Sequence, residues 1–212
     1  MNLLIIAGMP ASGKTTVSQK LSDALGYPIL EKDALKEELF DTVGFENYAE
    51  KRRLDTAACA VLLRATDALL AANTSLILVN NFREDAAADV RALLEKHKAN
   101  CVTLFFKGDG DVFYRRYVER DLKSVRHLGH VLQEHYPPHA DDALSYTMTR
   151  EEFAEKFEKL GMDKFNAGGH RIDIDATYPE RIDTEQLLAD IKQAFQALET
   201  QNEKEKSHAR IS

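Results

Sequence analysis

The chain has 212 residues, 44% hydrophobic and 30% charged, with a formal net charge of −7 and 2 cysteines. That composition supports one sizeable core, so a single domain is expected, and it excludes a disulfide-stapled scaffold. No apolar run approaches membrane-spanning length, and the acidic balance argues against a long nucleic-acid footprint, although a local basic patch for an anionic ligand remains compatible.

Leu3–Ala7 is a short apolar run suited to a buried strand, and Thr16–Leu25 carries Val17, Leu21 and Leu25 at helical spacing. Between them lies Gly8-Met9-Pro10-Ala11-Ser12-Gly13-Lys14-Thr15, which fits G-x-x-x-x-G-K-[ST] in the strand–turn–helix context that a phosphate-binding P-loop needs. Glycines let backbone N–H groups close around a phosphate, and the helix adds the positive end of its dipole. Lys14 is placed to reach the β- and γ-phosphates and the Thr15 hydroxyl to ligate Mg²⁺, with Gly8, Pro10, Ala11, Ser12, Gly13 and Thr16 completing the ATP-binding turn. Because the opening apolar run is needed as a strand, it is read as structure and not as a signal peptide.

Pro28–Lys32 is the second strand, ending at Asp33. Ligands of open α/β sheets bind beyond the carboxyl ends of the strands, so Asp33 is expected beside the transferred phosphate as the group that handles the acceptor hydroxyl; helix capping is the competing role. Lys36, one helical turn later, is a substrate-binding candidate. A long helix follows from about Tyr48 to Leu70, with Leu54, Ala58, Val61, Ala65 and Leu69 as its stripe.

Ser75–Val79 is the third strand, and Asn80-Asn81-Phe82-Arg83 follows where an acid of the Walker B type would stand. None is present, so Mg²⁺ would rest on Thr15, water, the phosphates and Asp33. Asn81 and Arg83 are substrate-binding candidates, with a plain strand ending as the alternative. Glu84–Lys96 is helical, and Cys101–Phe106 is the fourth strand. Asp109 or Asp111 is expected to cap the helix carrying Arg115, Arg116 and Arg120. Arg116 and Arg120 share a face, and with Arg126 they are expected to bind ATP and stabilise the phosphoryl group in flight.

Asp121–Gly169 is far longer than a connection requires and is expected to form a mobile lid containing a helix over Thr149–Leu160. His127, His130, His135 and His139 lie in it without a common zinc spacing, so they are read as solvated or hydrogen-bonded. Phe105, Phe106, Phe113, Tyr114 and Tyr117 are read as packing residues. Arg171–Ile174 is the fifth strand, Thr184–Leu198 the closing helix, and 201–212 a frayed tail outside a kinase domain spanning 1–200. Alternating strands and helices predict an α/β three-layer sandwich around a mainly parallel five-stranded sheet. Cys59 and Cys101 have no partner pattern, which points to a reducing, cytoplasmic setting.

With the P-loop, Lys32-Asp33, Asn81-Phe82 and Arg116 through Arg126-His127-Leu128-Gly129-His130 in place, the chain resembles the small P-loop kinases grouped with polynucleotide 5′-hydroxyl kinase, chloramphenicol phosphotransferase and the zeta-toxin kinases. The resemblance runs from Met1 to about Leu198. It implies that Asp33 is the base and that Arg116 and Arg120 bind nucleotide phosphates. Two departures stand out: Lys36 replaces a frequent arginine, losing its bidentate fork, and no acid stands near Val79. The leading expectation is an ATP- and Mg²⁺-dependent kinase acting on a hydroxyl of a small molecule. A 5′-hydroxyl nucleic-acid kinase and a nucleotide-dependent switch are the alternatives. The acceptor and the oligomeric state are not written in these features.

Overall fold

A computed structural model describes residues 1–123, 126–139, 142 and 148–209, with side chains to Lys204. Five parallel strands form one sheet in the order β2-β3-β1-β4-β5: β1 (Asn2–Gly8), β2 (Ile29–Glu31), β3 (Leu76–Val79), β4 (Asn100–Lys107) and β5 (His170–Asp175). β1 lies at the centre, with Leu3 opposite both Leu76 and Cys101. Its side chains alternate between the two faces, so one strand feeds two cores. Leu4 and Ile6 join Val17, Leu21, Phe113, Phe153, Phe157, Ile191 and Phe195 on one face. Leu3, Ile5 and Ala7 join Leu62, Leu70, Val90, Leu94, Phe82 and Phe165 on the other. The expected three-layer sandwich is the result.

The helices follow in chain order as α1 (Lys14–Leu25), α2 (Lys32–Val43), α3 (Tyr48–Ala71), α4 (Ala86–His97), α5 (Gly110–Leu122), the short α6 (Leu128–Val131), α7 (Arg150–Lys159) and α8 (Thr184–Ala209). Local chemistry explains several boundaries. The Asp109 side chain accepts from the N–H groups of Asp111 and Val112, so Asp109 is the cap of α5. Thr149 and Glu152 form a reciprocal capping box at the start of α7.

Two expectations are corrected, and the stretches expected as tail and lid are located. The second strand stops at Glu31, and Asp33 lies in the first turn of α2, because Lys32 already takes helical form. The buried stripe of α3 is Ala58, Leu62, Thr66 and Leu70, while Val61 is 48% exposed; the i, i+4 row that faces the sheet is displaced from the row chosen by apolarity alone. α8 continues to Ala209 through the segment expected to fray, because Glu199–Ala209 contains neither glycine nor proline. The stretch expected as a lid is divided: Phe153, Phe157 and Met162 are buried in one core, and Phe165 and Ala167 in the other. Phe165 stacks on Phe82 at 4.6 Å, which fastens this stretch over the end of β3. The lid expectation at 124–125, 140–141 and 143–147, and the tail at 210–212, fall outside the described residues.

Candidate active site

The turn after β1 is shaped for a phosphate. Gly8 has φ +118°, and a Cβ there would stand 2.1 Å from the Phe106 carbonyl oxygen, so only glycine lets β1 leave the sheet at this point. Gly13, at φ 85°, caps α1 without a side chain, leaving the first-turn N–H groups of the helix facing outward. Pro10 and Ser12 are buried, and Thr15 and Thr16 are exposed at the start of α1.

Lys14 is only 8% exposed, and its Nζ donates to the carbonyls of Gly8 (3.1 Å) and Met9 (2.6 Å) and to Ser12 Oγ (3.4 Å). Burial pushes its pKa down to about 7, and Arg120 adds to the fall, against the opposing charges of Asp33 and Glu31. An anionic ligand in the turn would relieve this cost, since the lysine would then face phosphate oxygens in place of carbonyl dipoles.

Asp33 comes to the same place from the start of α2. Burial alone would raise its carboxyl pKa, but the charges of His130, Arg126, Lys32 and Lys36 hold it below the usual carboxylate value. Arg126 Nη2 stands 3.9 Å from Asp33 Oδ2. The Arg126 guanidinium also lies 3.4 Å from buried Asp121 and 5.5 Å from the centroid of the Tyr117 ring. Asp121 draws Arg120 in too, at 3.7 Å.

Arg120 is the least settled group in the crevice. Its Nε and Nη2 are buried and have no hydrogen-bond partner among the described residues. Burial lowers its pKa, and the neighbouring Arg126 lowers it further. Orphaned guanidinium donors inside a protein are costly. Here they share an electrostatic neighbourhood with Lys14 and Asp33, as the mutual effects on their titration show. The arrangement fits a phosphoryl group, which would supply the missing acceptors.

Sequence reasoning missed Glu31. It ends β2 two residues before Asp33, and its Oε1 accepts from Thr15 Oγ1 at 2.8 Å. Burial raises its pKa, and the Thr15 hydrogen bond opposes that rise. An acid thus stands at the end of β2, beside the P-loop threonine, and none directly follows β3. The available signal was its place at the carboxyl end of β2, where ligands of open α/β sheets bind. Hydroxyl and carboxylate oxygens are the donor set that Mg²⁺ prefers.

Other expected residues take different places. Arg116 does not share partners with Arg120: its guanidinium donates to the carbonyls of Ala176 (3.1 Å) and Thr177 (2.7 Å), just after β5. The same loop brings Pro179 against Gly13, so Arg116 braces the side of the P-loop. Lys36 and Lys32 both pair with Asp55 of α3, at 2.8 and 2.6 Å, and these two ammonium groups hold the Asp55 carboxyl down against the effect of burial. Asn81 is half-buried beside Phe82, and Arg83 pairs with Asp85 on its own loop.

The segment carrying Arg126 is docked on α2 and α3. Phe40 is fully buried and packs against Gly129, where an added Cβ would fall 2.3 Å from the ring. His127 pairs with Asp41 (3.0 Å), His130 with Glu37 (3.0 Å), and Tyr136 exchanges backbone hydrogen bonds with Phe45 (2.9 and 2.7 Å). Lys51 of α3 donates to the carbonyls of His130 (3.0 Å) and Leu132. The expected hydrogen-bonded histidines are borne out at these positions.

Comparison with known proteins agrees with this geometry. The family model described as AAA domain (AAA_33) matches residues 3–136. Among solved structures, the chain is similar to a candidate kinase from Chloroflexus aurantiacus J-10-fl at 28% identity and a TM-score of 0.75, covering 91% of this chain and 97% of that one. A sugar kinase from a Janibacter species matches at 15% identity and TM-score 0.52 over 90% and 92% of the two chains. A gluconokinase from Sinorhizobium meliloti 1021 matches at 15% identity and TM-score 0.51 over 98% and 97%. These likenesses establish the P-loop kinase-like fold. No curated protein gives a significant match.

Proposed function

The chain belongs to the AAA domain family, and from that premise we propose that it is an ATP- and Mg²⁺-dependent kinase that phosphorylates a hydroxyl of a small molecule. The observation that carries this reading is Arg120: two buried N–H groups with no hydrogen-bond partner among the described residues, in one electrostatic neighbourhood with Lys14 and Asp33. Lys14 and the P-loop amides would hold the β- and γ-phosphates, and Arg120 would meet the oxygens of the transferred group as charge spreads over them. Thr15 and Glu31 would hold Mg²⁺, which when bound neutralises phosphate charge. Asp33, its carboxyl held below the usual value by neighbours that include Arg126, Lys32 and Lys36, would orient the acceptor hydroxyl and take its proton. Lys36 and Lys32, tethered to Asp55, would line the acceptor side, and Arg116 would steady the loop after β5. A shared fold with proteins named sugar kinase and gluconokinase agrees with a small hydroxylated acceptor.

The test is Asp33→Asn, assayed with a panel of hydroxylated metabolites and a 5′-hydroxyl oligonucleotide. Phosphoryl transfer to a small acceptor should fall by on the order of 10²–10⁴, with ATP affinity kept within a few-fold. Undiminished transfer by the variant would remove Asp33 from the chemistry. Transfer to the oligonucleotide alone would replace the acceptor class.

A further inference from the structure

Away from the P-loop, His135, His139 and Asp142 converge on one spot. The three offer one ligand atom each, all within 4.8 Å of one another. His135 Nε2 lies 2.8 Å from Asp142 Oδ2, and the same oxygen accepts from the His139 backbone N–H at 2.6 Å. The two imidazole rings stack with centroids 3.9 Å apart and planes 20° from parallel.

The geometry points to a divalent transition-metal site, with zinc as its natural occupant, formed by His135, His139 and Asp142. Two imidazoles and one carboxylate match zinc or its chemical relatives and suit Mg²⁺ poorly, since Mg²⁺ prefers an all-oxygen shell. Zinc bonds of roughly 2.0–2.2 Å to nitrogen and oxygen place tetrahedral ligand atoms about 3.3 Å apart. The present spacing needs only a contraction by side-chain rotation. Water would complete the coordination. Pro137 and Pro138 lie between the first two ligands and restrict the backbone there, so less chain entropy is lost on binding.

The site has a structural consequence. It begins one residue before Tyr136, whose backbone bridges to Phe45 and whose hydroxyl donates to Asp41 at 2.6 Å. A metal joining His135 to His139 and Asp142 would close the turn next to that bridge and fix the end of the segment that carries Arg126. The proposal rests on these three side chains alone and stands whether or not the protein is a kinase.

The experiment titrates untagged full-length protein with Zn²⁺ by calorimetry, and with Co²⁺ by visible absorption, in excess Mg²⁺. One equivalent should bind. His135→Ala, His139→Ala and Asp142→Asn should each weaken binding by more than the roughly 10–100-fold typical of an outer-shell partner. His97→Ala and His170→Ala should bind as the parent does. Hydrogen exchange should slow at 135–139 on Zn²⁺ addition in the parent and stay unchanged in the double variant His135→Ala/His139→Ala. Equal Zn²⁺ affinity in that double variant, while its thermal melting matches the parent, overturns the site. So does an absence of binding to the parent at micromolar Zn²⁺.

Discussion

Replacing Arg120 by methionine should move stability and activity in opposite directions. Nε and Nη2 of Arg120 are buried without partners, and each such donor costs about 1–3 kcal/mol. The side chain is 33% exposed overall, so the lower part of that range applies. Methionine keeps much of the aliphatic length and removes both donors. What it gives up is a 3.7 Å approach to Asp121 and the guanidinium's place 5.3 Å from the Tyr117 ring centroid, where the methionine sulfur can still pack; Asp121 keeps Arg126 at 3.4 Å, so no buried carboxylate is orphaned. The nucleotide-free variant should therefore be more stable by about 1–3 kcal/mol, a rise of roughly 2–10 °C in melting temperature for a chain of this size. Phosphoryl transfer should fall by on the order of 10³, and the thermal shift on adding ATP and Mg²⁺ should shrink. Differential scanning calorimetry with and without nucleotide, alongside a coupled ADP assay, reads all three. A variant that melts lower without nucleotide and transfers phosphate as before would show that Arg120 is a structural residue and that its donors are satisfied in solution.

Two further substitutions bear on separate parts of the molecule. Glu31→Gln keeps an acceptor for Thr15 but removes the charge; the Mg²⁺ concentration for half-maximal activity should rise severalfold while metal-free ATP binding holds, and an unchanged Mg²⁺ dependence would discard Glu31 as a metal partner. Lys51 is 6% exposed, and burial, reinforced by Lys36 and Arg126, lowers its pKa to about 7. The unfolded chain binds that proton up to a pH near 10.5, so between about pH 7 and 10.5 the unfolded state holds more protons and Lys51 makes stability rise with pH, by about 1.4 kcal/mol per unit. Urea unfolding of the parent minus that of Lys51→Met should show this slope from pH 7.5 to 9.5, and parallel curves would place the Lys51 ammonium in contact with water.

The fold was legible because hydrophobic runs, caps and glycine turns all agree. The P-loop was legible for a stronger reason: its residues are contiguous, so the string carries the geometry. Asp33 was found because it ends a strand signal, though it stands in the first helical turn. Glu31 was missed because an acid was sought after β3, where relatives of the family often place one. Nothing in one sequence tells β3 from β2 as the source, since the sheet order that sets β2 beyond β3 is a property of the fold. Arg116 and Arg120 are four residues apart and look equivalent on a helical wheel, yet one reaches carbonyls after β5 and the other lies near Asp121 and the Tyr117 ring. Asp55 of α3 pairs with Lys32 and Lys36 of α2, and a pairing between two helices leaves no local mark in a sequence.

Docking of the Arg126 segment on Phe40, Phe45 and Lys51 has a consequence for specificity. In the proposed reaction α2 and α3 would border the acceptor side, and the same two helices seat the segment whose arginine stands 3.9 Å from Asp33. A compound that displaces these helices even slightly would also swing that guanidinium off target. Selection among candidate acceptors would then be registered in turnover more than in occupancy: a poor fit would still enter the crevice, but the reactive arrangement would not assemble around it.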